Sequence, residues 1–107
     1  MAGGGGYRVD APTRETVDAT RGPLVLEFGT DWCGHCQGAQ VSIERALAAR
    51  TGIEHIKIED GPGRPLGRSF RIKLWPTLVI LRDGVEVARV VRPQDAGDVE
   101  QALRALD

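Results

Sequence analysis

Five residues, Leu24-Val25-Leu26-Glu27-Phe28, make a nearly unbroken apolar run between Pro23 and Gly29. A run this short and without alternation fits a strand covered on both faces. The fold must therefore lay cover on each side of it, and the run is expected to be the central strand. Its one polar member is Glu27. A lone carboxylate in such a strand is costly unless paired, and desolvation is expected to raise its pKa. The alternative reading is an outward-facing strand residue.

The run is followed by Trp32-Cys33-Gly34-His35-Cys36. Two thiols three residues apart, at the junction of a strand and a helix, can close a small disulfide ring and reopen it without moving the rest of the fold. This is the chemistry of dithiol–disulfide exchange. The chain has only these 2 cysteines, too few for the disulfide framework of a small secreted protein. A bridge across so short a loop also constrains the unfolded chain little. Half of a zinc site is the competing use, but tetrahedral zinc needs four ligands. Beyond the pair the chain offers His35, His55 and carboxylates, so no metal is expected.

The remaining pattern fits one compact domain over residues 7–107, since 107 residues suffice for a single core. Gly3 to Gly6 makes residues 1–6 a flexible leader, excluded from the fold. Tyr7 to Val9 is expected as a short edge strand and Pro12 through Ala19 as a first helix. Ala39, Ile43, Ala46 and Leu47 recur at helical spacing until Thr51-Gly52, giving an amphipathic helix of about four turns. Ile53 to Ile58 reads as a second strand, parallel to the first through a right-handed crossover. Gly61-Pro62-Gly63 then leads into a short helix from Pro65 to Phe70. Thr77 to Leu81 and Val85 to Val91 flank Asp83-Gly84, a strong hairpin signal. Asp95 caps a last helix whose apolar face is Val99, Ala102, Leu103 and Leu106.

Charge is nearly balanced, 14 Lys+Arg against 15 Asp+Glu, so no strong field draws nucleic acid or an anionic membrane. No apolar stretch approaches the roughly 18 residues of a membrane span, and the start lacks a secretory pattern. The expected location is the cytoplasm, and the expected state a monomer.

The motif Trp32-Cys33-Gly34-His35-Cys36, a strand carrying Lys57, then Trp75-Pro76-Thr77, a hairpin and a terminal helix, resembles the thioredoxin family over almost the whole chain. The resemblance implies an α/β fold, a central mixed sheet flanked by helices, with Cys33 at a helix N-terminus and Pro76 in a cis bond facing the disulfide. Gly34-His35 resembles the centre of protein disulfide isomerase rather than that of thioredoxin, which has proline in place of His35. Gly29 stands where thioredoxin has a further tryptophan, Val41 where it has a helix-kinking proline, and Arg92 where it has a glycine. Leu74-Trp75 replaces a smaller Gly-Ile pair.

By this resemblance Cys33 is the nucleophile and Cys36 the resolving thiol. Glu27, neighboured by Lys57, exchanges a proton with Cys36. A helix N-terminus stabilises the Cys33 anion, and a protonated His35 lowers its pKa further. The potential is expected to fall between about −270 mV for thioredoxin and about −180 mV for the isomerase. Trp32, Gly34, Trp75, Pro76, Thr77 and Arg92 would bind substrate: the tryptophans through flat apolar area, Pro76 and Thr77 through strand-like backbone pairing, and Arg92 by selecting acidic partners. Disulfide-containing proteins are the expected substrates, with a thioredoxin reductase-type or glutathione donor. The redox-active disulfide is expected to serve without any cofactor. The competing function is a non-catalytic binding or chaperone module with incidental thiols.

Overall fold

The computed structural model describes residues 6–107, so the leader expected over residues 1–6 lies outside it apart from the exposed Gly6. The sheet is built from β1 (Pro23–Gly29), β2 (Glu54–Glu59), β3 (Thr77–Arg82) and β4 (Val85–Val91). Its order is β2-β1-β3-β4, with β1 parallel to β2 and antiparallel to β3. β1 thus lies inside the sheet, as its apolar run requires.

The helices are α1 (Arg14–Ala19), α2 (Gly34–Ala48), α3 (Pro65–Ser69) and α4 (Ala96–Leu103), the last continued by a 3-10 turn over Arg104–Leu106. Alternation along β1 divides the interior in two. Leu24, Leu26 and Phe28 pack with Val17 of α1 and with Leu66 and Phe70 at α3. Val25 faces the opposite way, onto Ala39 and Ile43 of α2 and Val99 and Leu103 of α4. Glu27, two residues beyond Val25, therefore shares the α2 side of the sheet.

The connections follow the turn chemistry of the sequence. Asp83 (φ 52) and Gly84 (φ 80) both take positive φ, the pattern of a tight two-residue hairpin. Asp95 Oδ1 accepts the Asp98 N–H at 3.0 Å and caps α4. The expected edge strand at Tyr7–Val9 reduces to a single parallel bridge, Arg8 to Ile58. It is nonetheless firmly held, since Arg8 N donates to Lys57 O (2.9 Å) and Glu59 N to Arg8 O (2.8 Å). That bridge hangs Tyr7 at the end of β1, above α2.

Candidate active site

The site is built where β1 ends and α2 begins. Cys33 is the N-cap of α2: its backbone is extended and its sulfur accepts the Cys36 N–H at 3.3 Å. A sulfur there faces the first unpaired amides of the helix and the positive end of its dipole. Cys36 lies one turn further in. Both thiols are free; Cys33 keeps 8% of its surface exposed and Cys36 1%.

Their acidities diverge. Burial pushes the Cys33 thiol up, but hydrogen bonds from the Cys36 side chain and from the backbone of Cys36 and His35, together with the Arg92 charge, bring it below the ordinary cysteine value. For Cys36 burial dominates, and the nearby Cys33 sulfur adds to it, so the thiol is pushed up to about 11. Arg92 brings a positive charge to Cys33, and His35 a backbone N–H. The His35 side chain is exposed.

Glu27 is buried to 0% exposure, which excludes the outward-facing reading. Its Oε2 accepts from the Tyr7 hydroxyl and from Gln40 Nε2 (2.9 Å), and its Oε1 pairs with His55 Nε2 at 2.8 Å. The expected rise in its pKa is reversed. Burial does work against the charge, but the hydrogen bonds from His55, Gln40 and Tyr7 outweigh it and hold the carboxyl below its usual value. The expectation counted desolvation without the three donors. Lys57 is the cross-strand partner of Glu27 in the parallel ladder. Its Nζ donates to Gln40 Oε1 at 2.7 Å and lies 4.7 Å above the Tyr7 ring.

The mouth of the site is aromatic. Trp32 is 74% exposed, so it is no core residue, and its ring meets Trp75 edge-on at 5.7 Å between centroids. Trp75 Nε1 donates to Asp60 Oδ2 (2.9 Å), and the Trp75–Pro76 peptide bond is cis. Arg92 is fixed beside them by its Nε, which donates to Trp75 O at 2.8 Å. Gly34 is exposed next to Cys33. The Thr77 side chain turns inward, its hydroxyl donating to Leu74 O at 2.6 Å, and its backbone lies in register with Phe28 and Val91. Val41, at the position compared with a helix-kinking proline, sits exposed within an unbroken α2.

Three residues of this cluster escaped the sequence reading as site residues: Tyr7, Gln40 and His55. Two had a legible signal. Gln40 lies four residues after Cys36, on the same face of α2, and His55 lies two before Lys57, on the same face of β2. Tyr7 had an indirect one in Gly29. A Cβ at Gly29 would sit 2.6 Å from Cys36 Sγ and 2.9 Å from the Tyr7 hydroxyl, so the absent side chain makes room for the phenol.

The Thioredoxin family model matches residues 9–105. Thioredoxin 2 from Pseudomonas aeruginosa PAO1, solved in its reduced form, is 53% identical, with a TM-score of 0.86 over 96% of this chain and 95% of that one. Thioredoxin Asp f 28 from Aspergillus fumigatus is 22% identical over 99% of this chain and 98% of its own length. Protein disulfide-isomerase A2 from Pongo abelii is 33% identical over 76% of this chain, which spans only 17% of that protein. The chain likewise covers 59% of thioredoxin H2-1 from Oryza sativa subsp. japonica. A mixed four-stranded sheet, a capped Cys-x-x-Cys helix and a family match over nearly the full length agree: the chain belongs to the thioredoxin family.

Proposed function

We propose that this protein reduces or exchanges disulfides in protein substrates by cycling Cys33 and Cys36 between dithiol and disulfide. The observation that carries this reading is the unequal pair: one sulfur at the helix cap with its pKa lowered, the other behind it with its pKa raised. Cys33 thiolate attacks one sulfur of the substrate disulfide, forming a mixed disulfide and expelling the other substrate sulfur as a thiolate. Cys36, once deprotonated, attacks Cys33 and expels the second. Two electrons pass from the enzyme dithiol to the substrate, and the substrate thiolates take protons from solvent.

Glu27 serves as the base for Cys36, with Lys57 and Gln40 holding the polar cluster around it. Trp32, Gly34, Trp75 and Pro76 receive an extended substrate segment, and Arg92 both favours the Cys33 anion and selects carboxylates beside the substrate cysteine. The pair itself is the redox group, without a separate cofactor. A monomer working in the cytoplasm with a thioredoxin reductase-type or glutathione donor fits the balanced charge and the reductase direction. A potential between the thioredoxin and isomerase values remains the expectation, with Arg92 as well as His35 contributing to it.

A trapping experiment tests the reading. A Cys36→Ser variant should accumulate mixed disulfides with protein substrates through Cys33, resolved by added dithiol, whereas Cys33→Ser should form none. Equal adduct yields from the two variants, or none from Cys36→Ser together with no insulin reduction by the wild type, would leave the binding-module reading in its place.

A further inference from the structure

Cys36 must lose its proton before it can resolve the mixed disulfide, and the base assigned to that step lies beyond a third residue. The Tyr7 ring covers Gly29, its backbone N–H donating to Asp31 Oδ1 at 2.9 Å while the neighbouring Arg8 is stitched to β2. Its hydroxyl donates to Glu27 Oε2, and it packs beside the Cys36 sulfur, the two lying 2.9 Å and 2.6 Å from the one position a Gly29 Cβ would take. Gln40 Nε2 stands 3.2 Å from the same oxygen. One phenol oxygen thus bonds the carboxylate that takes the proton and sits beside the thiol that gives it up.

We propose that Tyr7 is a further catalytic residue, relaying the proton from Cys36 Sγ to Glu27 Oε2 during resolution; the proposal rests on the Cys33/Cys36 exchange described above. In the resting dithiol the Cys36 thiol packs against Cys33, and Tyr7 donates to Glu27. Formation of the mixed disulfide removes the Cys33 anion, and the Cys36 S–H turns to Tyr7 Oη. Its proton then moves to Oη as the phenol's own proton moves to Glu27 Oε2. Cys36 becomes a thiolate held by the Tyr7 O–H, and Glu27 becomes a neutral acid. The thiolate attacks the Cys33 sulfur, forming the intramolecular disulfide and breaking the bond to substrate, which departs as a thiolate. The carboxyl sheds its proton to solvent past His55, a partner whose side chain is 26% exposed.

Tyr7 stays neutral throughout, and it must. Burial, and then the Glu27 charge, push its own ionisation far above the usual phenol value, so a free phenolate is no intermediate. The titratable or charged groups facing the phenol are Cys36, Glu27 and Lys57, with Cys33 and His55 one contact further out.

The test separates the two sulfur steps with dithiobis(nitrobenzoate), a coloured aryl disulfide. Attack by Cys33 releases one nitrothiobenzoate, and resolution by Cys36 releases the second. Tyr7→Phe keeps the ring over Gly29 and removes only the hydroxyl. Near neutral pH it should slow the second release by roughly 10²-fold, the lower end of general acid–base assistance, and change the first by less than about two-fold. Raising the pH toward that of free Cys36 ionisation should restore the second release in Tyr7→Phe. Glu27→Gln should show the same selective defect. A second release in Tyr7→Phe as fast as in the wild type, or a loss of both releases in equal measure, would overturn the relay. A wild-type first release no faster than that of an ordinary thiol would instead sink the exchange reading on which it rests.

Discussion

The two ends of one helical turn hold chemically identical side chains in opposite conditions. At the outer end, Cys33 occupies a cap position, where unpaired amides and the Arg92 charge favour an anion and part of the sulfur meets solvent. At the inner end, Cys36 sits against Tyr7 under the end of β1, and its neutral form is favoured up to about 11. A displacement of three residues along α2 carries a thiol from the positive rim of a helix into a dry interior. In the exchange proposed above, that asymmetry sets the order of events: the outer sulfur attacks, and the inner one waits for a base.

The largest consequence is a difference in reactivity. With Cys36 ionising near 11 and Cys33 below the ordinary value, their thiolate fractions near neutral pH differ by more than roughly 10²-fold. Iodoacetamide should therefore label Cys33 first, its rate rising with pH to a plateau reached below that of an unperturbed thiol. Cys36 should be labelled in a second wave at high pH. Peptide masses from samples quenched along a pH series measure both waves. Parallel labelling of the two sulfurs would erase the comparison.

The second consequence concerns how tightly the inner end is filled. Gly29 is flanked by Cys36 Sγ and the Tyr7 ring at distances no real Cβ contact tolerates. Gly29→Ala must displace one of them, at about 1–3 kcal/mol in stability, the usual cost of overpacking. Displacing Tyr7 also removes one of the donors to Glu27 and its contact with Cys36. The variant should then resolve mixed disulfides slowly while Cys33 keeps its own alkylation profile. Denaturant unfolding together with that profile measures the two effects separately, and a shift in Cys33 as large as that in Cys36 would mean the two ends are not independent.

Much of this arrangement was legible in the residues. The uninterrupted apolar run located β1 inside the sheet, Asp83-Gly84 located the hairpin, and the helical recurrence from Ala39 to Leu47 located α2 behind the cysteines. Glu27 was legible as an oddity, because any carboxylate in such a strand needs an explanation. The sign of its pKa shift was not legible, since that sign depends on three donors from α2, β2 and the segment before α1, brought together only by the fold. Tyr7 was the hardest to see. A single bridge holds its segment, and one bridge carries no alternating pattern for a sequence reading to find. Arg92 was likewise hard to see beside the cysteines: only the fold, through the turn after β4, brings its charge near the sulfur that His35 neighbours in sequence.

The smallest effect belongs to Arg92, and it sharpens the comparison at its outer end. The residue holds φ 51 at the end of β4, its N–H donating to Pro76 O and its Nε to Trp75 O, so its charge is fixed near Cys33 although the side chain is exposed. Removing a positive charge from beside an anion raises the pKa, so the Cys33 alkylation midpoint should move upward in Arg92→Gln. Exposed charges interact by less than about 1 kcal/mol, which keeps the shift below that produced by losing the helix cap. Screening supplies the internal control: at about 1 M salt the Debye length falls to about 3 Å, and the wild-type midpoint should approach that of the variant. A shift that survives high salt would assign it to the hydrogen bond on Trp75 rather than to charge, and a variant midpoint unmoved at low salt would return the tuning of Cys33 to the helix alone.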